Sequence, residues 1–267
     1  VSARLTLRSV ALGYLAALLV LPVGFILLKA FEKGLAPVVD SLTTPQAMHA
    51  FYLTFIVVLI AVPLNTVFGI ATSLLLVRTK LPGRRLIDSL IDLPFAVSPV
   101  VIGLSLVLVY GNDGFIGGPL SDAGIKIIFS TPGIVLATVF VSLPFVVREV
   151  SPVLREIGTE QEEAAGTLGA SPWQTFRRVT LPAIRPAVAY GVVLTTARAL
   201  GEYGAVSVVS GKFSGRTETA TLLVENQFQS FDLTGAYAAA IVLALMAVTV
   251  LVGMNLLDRN RRLRHGH

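Results

Sequence analysis

Long apolar runs alternate with short polar, basic segments along this chain. The runs cover roughly residues 10–28, 51–77, 87–110, 133–147, 187–209 and 235–257. Most are long enough for a helix rising 1.5 Å per residue to cross about 30 Å of hydrocarbon; the fourth is the shortest. In lipid, backbone groups must be satisfied within their own segment, so each run predicts a helix. The strict alternation of membrane β-barrel strands is absent. The pattern predicts an all-α, polytopic membrane bundle of six transmembrane helices, forming one domain over residues 1–267.

Gly and Pro punctuate the runs. Pro82-Gly83 marks a turn, 111–119 is a Gly-rich loop, and Thr131-Pro132-Gly133 opens the fourth run. Inside the third run, Pro94 and Pro99 kink or interrupt the helix, and Ser98 between them exposes backbone groups. Broken helices of this kind commonly line translocation sites, and a plain packing kink fits equally well. Asp88 and Asp92 fall near the inner end of this run, at the headgroup region.

Composition agrees with a membrane protein. The chain is 54% hydrophobic and 14% charged, against about 25% charged in soluble domains. A net charge of +5 suits nucleic acid in principle, but the basic residues are distributed by topology. One set of polar segments holds Arg4, Arg8, Arg78, Lys80, Arg84, Arg85, Arg148, Arg155, Arg177, Arg178, Arg185 and the arginines of 259–264. The opposite set holds only Lys29, Lys33, Lys126, Lys212 and Arg216. The positive-inside rule then predicts that both termini and the 151–182 loop are cytoplasmic. The first run reads as a retained helix, since it is long for a signal peptide and no small-x-small site follows it. The basic end at 259–264 suits a topology anchor, with anionic lipid as a second possible contact.

Much chemistry is excluded. There is no cysteine, and His49, His265 and His267 are too dispersed for a metal site or a triad. Gly211-Lys212-Phe213 has Val206 where a phosphate-binding loop needs its first Gly, and Phe213 where it needs Ser or Thr. The chain is therefore not expected to hydrolyse ATP.

The 151–182 loop is polar between two apolar runs. Pro152 suits an early helical position, with Val153, Leu154 and Ile157 forming an apolar stripe and Glu160, Glu162 and Glu163 facing water. Gly169 permits a left-handed cap. Ser171 is placed to cap a second helix, with Pro172 at its first position and Trp173, Phe176 and Val179 along one side. Pro182 and Pro186 end the loop at the next run. A hairpin lying on lipid would favour Lys and Arg over this many glutamates, so a protein-docking role is the better reading. Glu163-Ala164-Ala165, three residues, Gly169, nine residues, then Val179-Thr180-Leu181-Pro182 resembles the EAA loop of ATP-binding-cassette importer permeases. Val179 replaces the usual Ile. The resemblance implies that this loop seats a short coupling helix on a separate ATPase, with Glu163, Ala164, Ala165, Leu168 and Gly169 shaping the bend. The segment from Gly169 through Ser171 to Trp173 would dock. It also implies a second permease subunit.

The fifth run carries charge. Arg198 lies roughly 17 Å into it, where an arginine costs on the order of 3 kcal/mol or more. Glu202, one turn on, can pair with it, and Gly201 and Gly204 weaken the helix between. Two roles fit: Arg198 on an anion path held by Glu202, or a structural pair that fixes packing against the second permease. The segment from Arg198 through Tyr203 to Ala205 resembles the signature of molybdate and sulfate permeases, with Tyr203 in place of the commoner Phe. Its continuation to Gly211, the run 132–138 and the stretch 144–182 are similar to the sulfate/thiosulfate permease of the W type.

That resemblance implies an importer in the bacterial cytoplasmic (inner) membrane. Its partners would be a T-type permease, two ATPase subunits holding ATP and Mg, and an extracytoplasmic sulfate-binding protein. This chain would itself carry no cofactor. Arg198, Glu202, Tyr203, Ser98 and Pro99 would form the path or gate. A molybdate or tungstate importer is the nearest alternative, and a membrane scaffold that only recruits an ATPase is an alternative of another class. The buried charge pair argues against a passive scaffold.

Overall fold

A computed structural model of the chain describes residues 2–80 and 82–264, with side chains from 6 to 253 apart from Leu19 and Leu81. The side chains of Arg4 and the 259–264 arginines, and residues His265 and His267, lie outside this description. All regular structure among the described residues is helical.

The bundle is built around one helix. After α1 (Ser2–Ala30) and the short α2 (Leu35–Leu42), α3 runs from Pro45 to Arg78. Thr44 starts α3: its hydroxyl accepts the Ala47 N–H at 3.2 Å, and Pro45 occupies the first turn, where its missing N–H costs nothing. α4 (Arg84–Ala96) and α5 (Pro99–Tyr110) follow, then α6 (Gly117–Asp122) and the central α7 (Thr131–Glu156). Ile134, Ala137, Val146, Val147, Val150 and Leu154 of α7 are wholly inaccessible. Gly69 of α3 and Gly191, on a later helix, both face Val146. A Cβ at Gly69 would lie 2.6 Å from Val146 Cβ, and one at Gly191 would lie 3.0 Å from Val146 Cα. Absent side chains let three backbones close up, the usual way helices associate in lipid, where burial alone gives little drive. Asn65 ties α3 to α7 as well, donating to Ser142 Oγ at 2.9 Å and Val139 O at 3.2 Å.

Past α7 come α8 (Glu160–Thr167) and α9 (Pro172–Thr175). A five-residue π-helical segment (Phe176–Thr180) then leads without a break into α10 (Leu181–Leu200). The chain ends with α11 (Gly204–Val209), α12 (Ala220–Gln229) and α13 (Leu233–Arg264). Large apolar side chains remain exposed along α1, α3, α4, α5 and α13, as expected where lipid or another membrane subunit is the surrounding medium.

Among the described residues, five helices are long and apolar enough to cross a membrane, or six if the bent pair α4–α5 counts as one span. Three expectations need correction. The 87–110 run is not one rod: α4 and α5 meet at 114°. Ser98, forced out of the helical region by Pro99, takes ψ 134°, and Val97 is extended too. The 133–147 run continues to Glu156 and absorbs the short helix expected at Pro152, which sits inside α7. The 187–209 run breaks after Leu200 and resumes at Gly204.

Candidate functional site

Two clusters of the expected residues form, one at each end of the rod that runs from Pro172 to Leu200.

At the loop end, the chain leaves α8 through Gly169, whose φ of +84° is a conformation glycine adopts without a Cβ clash. Ser171 then forms a full capping box. Its hydroxyl accepts the Gln174 N–H at 3.3 Å, and the Gln174 side chain accepts the Ser171 N–H at 2.8 Å. The cap and Pro172 make this a well-defined helix start. Leu168 is 88% exposed and Trp173 65% exposed, the latter stacked on Phe176 with ring centroids 5.5 Å apart. Ala164 is exposed and Ala165 half-buried. Glu163 accepts from the Thr159 hydroxyl at 2.6 Å. Between the bend and the rod lies a groove of about 300 Å³ lined by Ala165, Gly169, Ala170, Gln174, Arg178 and their neighbours. An uncovered Leu and Trp thus lie on a polar loop beside a groove floored by Ala and Gly.

Glu162 does not face water as expected. Its carboxylate accepts from Arg78 Nε at 2.8 Å and from the Thr180 hydroxyl at 2.7 Å. Arg78 also donates to the Leu154 and Gly158 carbonyls at 2.9 and 2.7 Å. In the sequence Arg78 reads only as a topology charge. Arg148 was missed in the same way. It pairs with both Asp88 (3.2 Å) and Asp92 (2.7 Å from Nε), so it holds α4 against α7. The i,i+4 spacing of the two aspartates was the visible signal that one face of α4 is acidic.

At the other end of the rod, Arg198 lies in the last turn of α10, where a cation suits the helix dipole. Its Nη1 is 2.6 Å from Glu202 Oε2, an ion pair without hydrogen-bond alignment. The two side chains differ in exposure, 29% for Arg198 and 2% for Glu202. Glu202 is also fixed at two further points. Its Oε1 accepts the Ala205 N–H at 2.8 Å, and its backbone carbonyl accepts the Thr221 hydroxyl at 2.8 Å. The carboxylate is thus a buried anchor of the break, and the guanidinium is the accessible partner. Tyr203 is 41% exposed and bonds toward Glu225 on α12. Burial pushes the Glu225 carboxyl up, but hydrogen bonds from Lys212 and Tyr203 together with the Lys212 charge outweigh it and hold the group below its ordinary value.

The break in α4–α5 packs on the break in α10–α11. A Cβ at Gly204 would lie 2.8 Å from Pro99 Cβ, and one at Gly103 would lie 2.8 Å from the Ala205 carbonyl. Ile102, Leu106, Ala137, Val141, Ala205 and Val209 form the apolar cluster around this junction. Pro99 is therefore brought to the Glu202–Gly204 turn, with the exposed Ser98 beside it in sequence. Two discontinuous helices thus meet inside the bundle at an apolar junction, with Arg198 and Glu202 at its edge.

The comparisons agree with this geometry. Residues 66–263 match the model of binding-protein-dependent transport system inner membrane components. The chain is 50% identical over 261 residues to the sulfate transport system permease protein CysW of a Synechocystis species, covering 98% of this chain and 93% of that one. It is 52% identical over 236 residues to the CysW protein of Escherichia coli, covering 88% and 81%. The CysT permease of Escherichia coli is 38% identical over 248 residues, covering 93% and 90%. In fold, the chain resembles a subunit of a bacterial alginate ABC transporter crystallised with its alginate-bound periplasmic protein. That match has a TM-score of 0.75 at 19% identity, covering 96% of this chain and 94% of that one. With a rod joining an exposed, capped helix start to a broken, charged helix pair, and with half its residues shared with such permeases, the chain belongs to the binding-protein-dependent transport system inner membrane components, the permease subunits of ATP-binding-cassette importers.

Proposed function

We propose that this chain is the W-type permease subunit of an ATP-driven importer that carries sulfate and thiosulfate across the bacterial inner membrane. It is a multi-pass, non-catalytic component, and hydrolysis belongs to a separate ATPase. In this reading the bundle is one permease domain with a coupling loop over about 151–182. That loop and both termini face the cytoplasm. A T-type permease completes the pathway, two ATPase subunits engage the paired loops, and an external sulfate-binding protein delivers the anion.

One observation carries the reading: the helix that starts at the capped docking segment is the helix that carries Arg198 in its last turn. The span from Pro172 to Arg198 is roughly 40 Å at helical rise, longer than the ~30 Å hydrocarbon core. Movement of the docking segment by the ATPase therefore reaches the charged break along a single element. Glu163, Ala164, Ala165, Leu168, Gly169, Ser171 and Trp173 form the ATPase contact. Arg198 faces the path, Glu202 holds it, and Tyr203, Ser98 and Pro99 border it. A guanidinium already partly neutralised by Glu202 binds a dianion weakly, which suits a path that must release its cargo.

The test is labelled-sulfate uptake in cells lacking only this gene and in the same cells with the gene restored, with unlabelled thiosulfate and molybdate as competitors. Gene-dependent uptake that thiosulfate suppresses is the expected result. Unchanged sulfate uptake with gene-dependent molybdate uptake would move the substrate to molybdate.

A further inference from the structure

Within the docking loop, the short helix α8 is not held by apolar packing. No residue of α8 is buried. The rod it adjoins contains a π-helical turn at Phe176–Thr180, where Pro182 lacks an N–H for the Arg178 carbonyl and its ring crowds it. Widened turns of this kind are uncommon, and they are among the places where helices kink. A push on the docking segment would partly dissipate as bending at this turn.

One charge cluster spans that weak point. Arg78 ends α3. Its fork reaches Glu162 of α8 at 2.8 and 3.3 Å, the Leu154 carbonyl of α7 at 2.9 Å and the Gly158 carbonyl after α7 at 2.7 Å. Glu162 in turn accepts from Thr180, the last residue of the π turn, at 2.7 Å. Both charged side chains are mostly covered, 15% and 20% exposed. The fixed fork of a guanidinium can serve acceptors on several elements together, whereas a lysine ammonium is one point of charge.

We propose that Arg78 and Glu162 are positioning residues that lock the docking loop to α3, α7 and the start of α10, so that these move as one body when the ATPase moves the loop. This rests on the reading of the loop as the ATPase contact. The chain has no cysteine, so spin labels at Gln161→Cys, an exposed position of α8, and at Leu75→Cys on α3 are its only thiol probes.

The experiment uses the assembled importer in nanodiscs and compares the label-to-label distance without nucleotide and with ATP trapped by vanadate. It also measures sulfate carried per ATP hydrolysed. With Arg78 and Glu162 intact, the distance is expected to stay constant through the cycle. In Arg78→Lys and Glu162→Gln it should broaden or shift with nucleotide. Uptake per ATP should fall at least 10-fold while the ATPase subunits stay bound and keep hydrolysing. Glu162→Gln keeps an acceptor for Thr180 and nearly the same shape, so it decides the matter if Arg78→Lys does not assemble. A constant distance with an unchanged uptake-to-ATP ratio in the assembled variants would overturn the proposal. Failure of the unmutated permease to retain the ATPase would instead overturn the docking reading, and the proposal with it.

Discussion

Two arginine–glutamate pairs grip the same rod near its two ends, and they are built in opposite ways. Arg78 and Glu162 stand 84 residues apart in the chain. Four of the five guanidinium N–H groups of Arg78 point at acceptors on three neighbouring segments. Arg198 and Glu202 are one turn apart on a single segment, and Arg198 touches its carboxylate through one Nη. The first pair has its donors engaged and acts as a cross-link. The second keeps donors open on a side chain that is 29% exposed, beside a helix break. The same chemistry thus makes a fastener where the donors are met and leaves an accessible guanidinium where they are not. An arginine in a membrane protein is better read by its unfilled donors than by its charge.

The comparison breaks most severely at the docking end. Gly169→Pro demands φ near −65° where the chain takes +84°, and removes an N–H that donates to the Gly166 carbonyl at 3.0 Å. Uptake should fall to background with normal amounts of permease in the membrane, measured by labelled-sulfate uptake and immunoblotting. Normal uptake would detach the loop from coupling.

The next effect is at the break. Arg198→Lys keeps the charge beside Glu202 but loses the planar fork that an oxyanion prefers. The permease should stay folded, with maximal sulfate uptake reduced roughly 10-fold, or about 1.4 kcal/mol. Unchanged uptake would make this pair a fastener like the other. Exchanging the two charges is a less clean test, because the Ala205 N–H would lose the acceptor it has in Glu202.

The smallest effect sharpens the cross-link. Thr180→Val keeps the shape and deletes one hydrogen bond to a charged group, a loss of about 1.5–3 kcal/mol. Thermal unfolding in detergent should shift down by roughly 3–12 °C with most uptake retained. A drop as large as that of Glu162→Gln would make Thr180, rather than Arg78, the chief support of the carboxylate.

Legibility tracked the range of the interaction. The apolar runs, the Ser171 cap and the left-handed Gly169 depend on residues within one or two turns, and each is visible in the sequence. The breaks at Ser98 and at 201–203 were half visible. Pro94, Pro99, Gly201 and Gly204 mark weak helix, but nothing local says that Gly204 will seat against Pro99. Glu162 was misread because its helix has water on most sides and its partner lies at the end of a distant span. The length of α7 was misjudged because Pro152 looks like a helix start. In the bundle, Val150 and Leu154 on either side of it are wholly buried, and that packing outweighs one missing hydrogen bond.

The π turn has a consequence for angle. An α-helix advances about 100° per residue, so one more residue between Trp173 and Arg198 would swing Arg198 about 100° around the axis. The turn at 176–180 closes from the Leu181 N–H to the Phe176 carbonyl, one residue wider than an α turn. It takes up that residue without rotating the helix beyond it. The azimuth of Arg198 relative to Trp173 is therefore that of an α-helix one residue shorter.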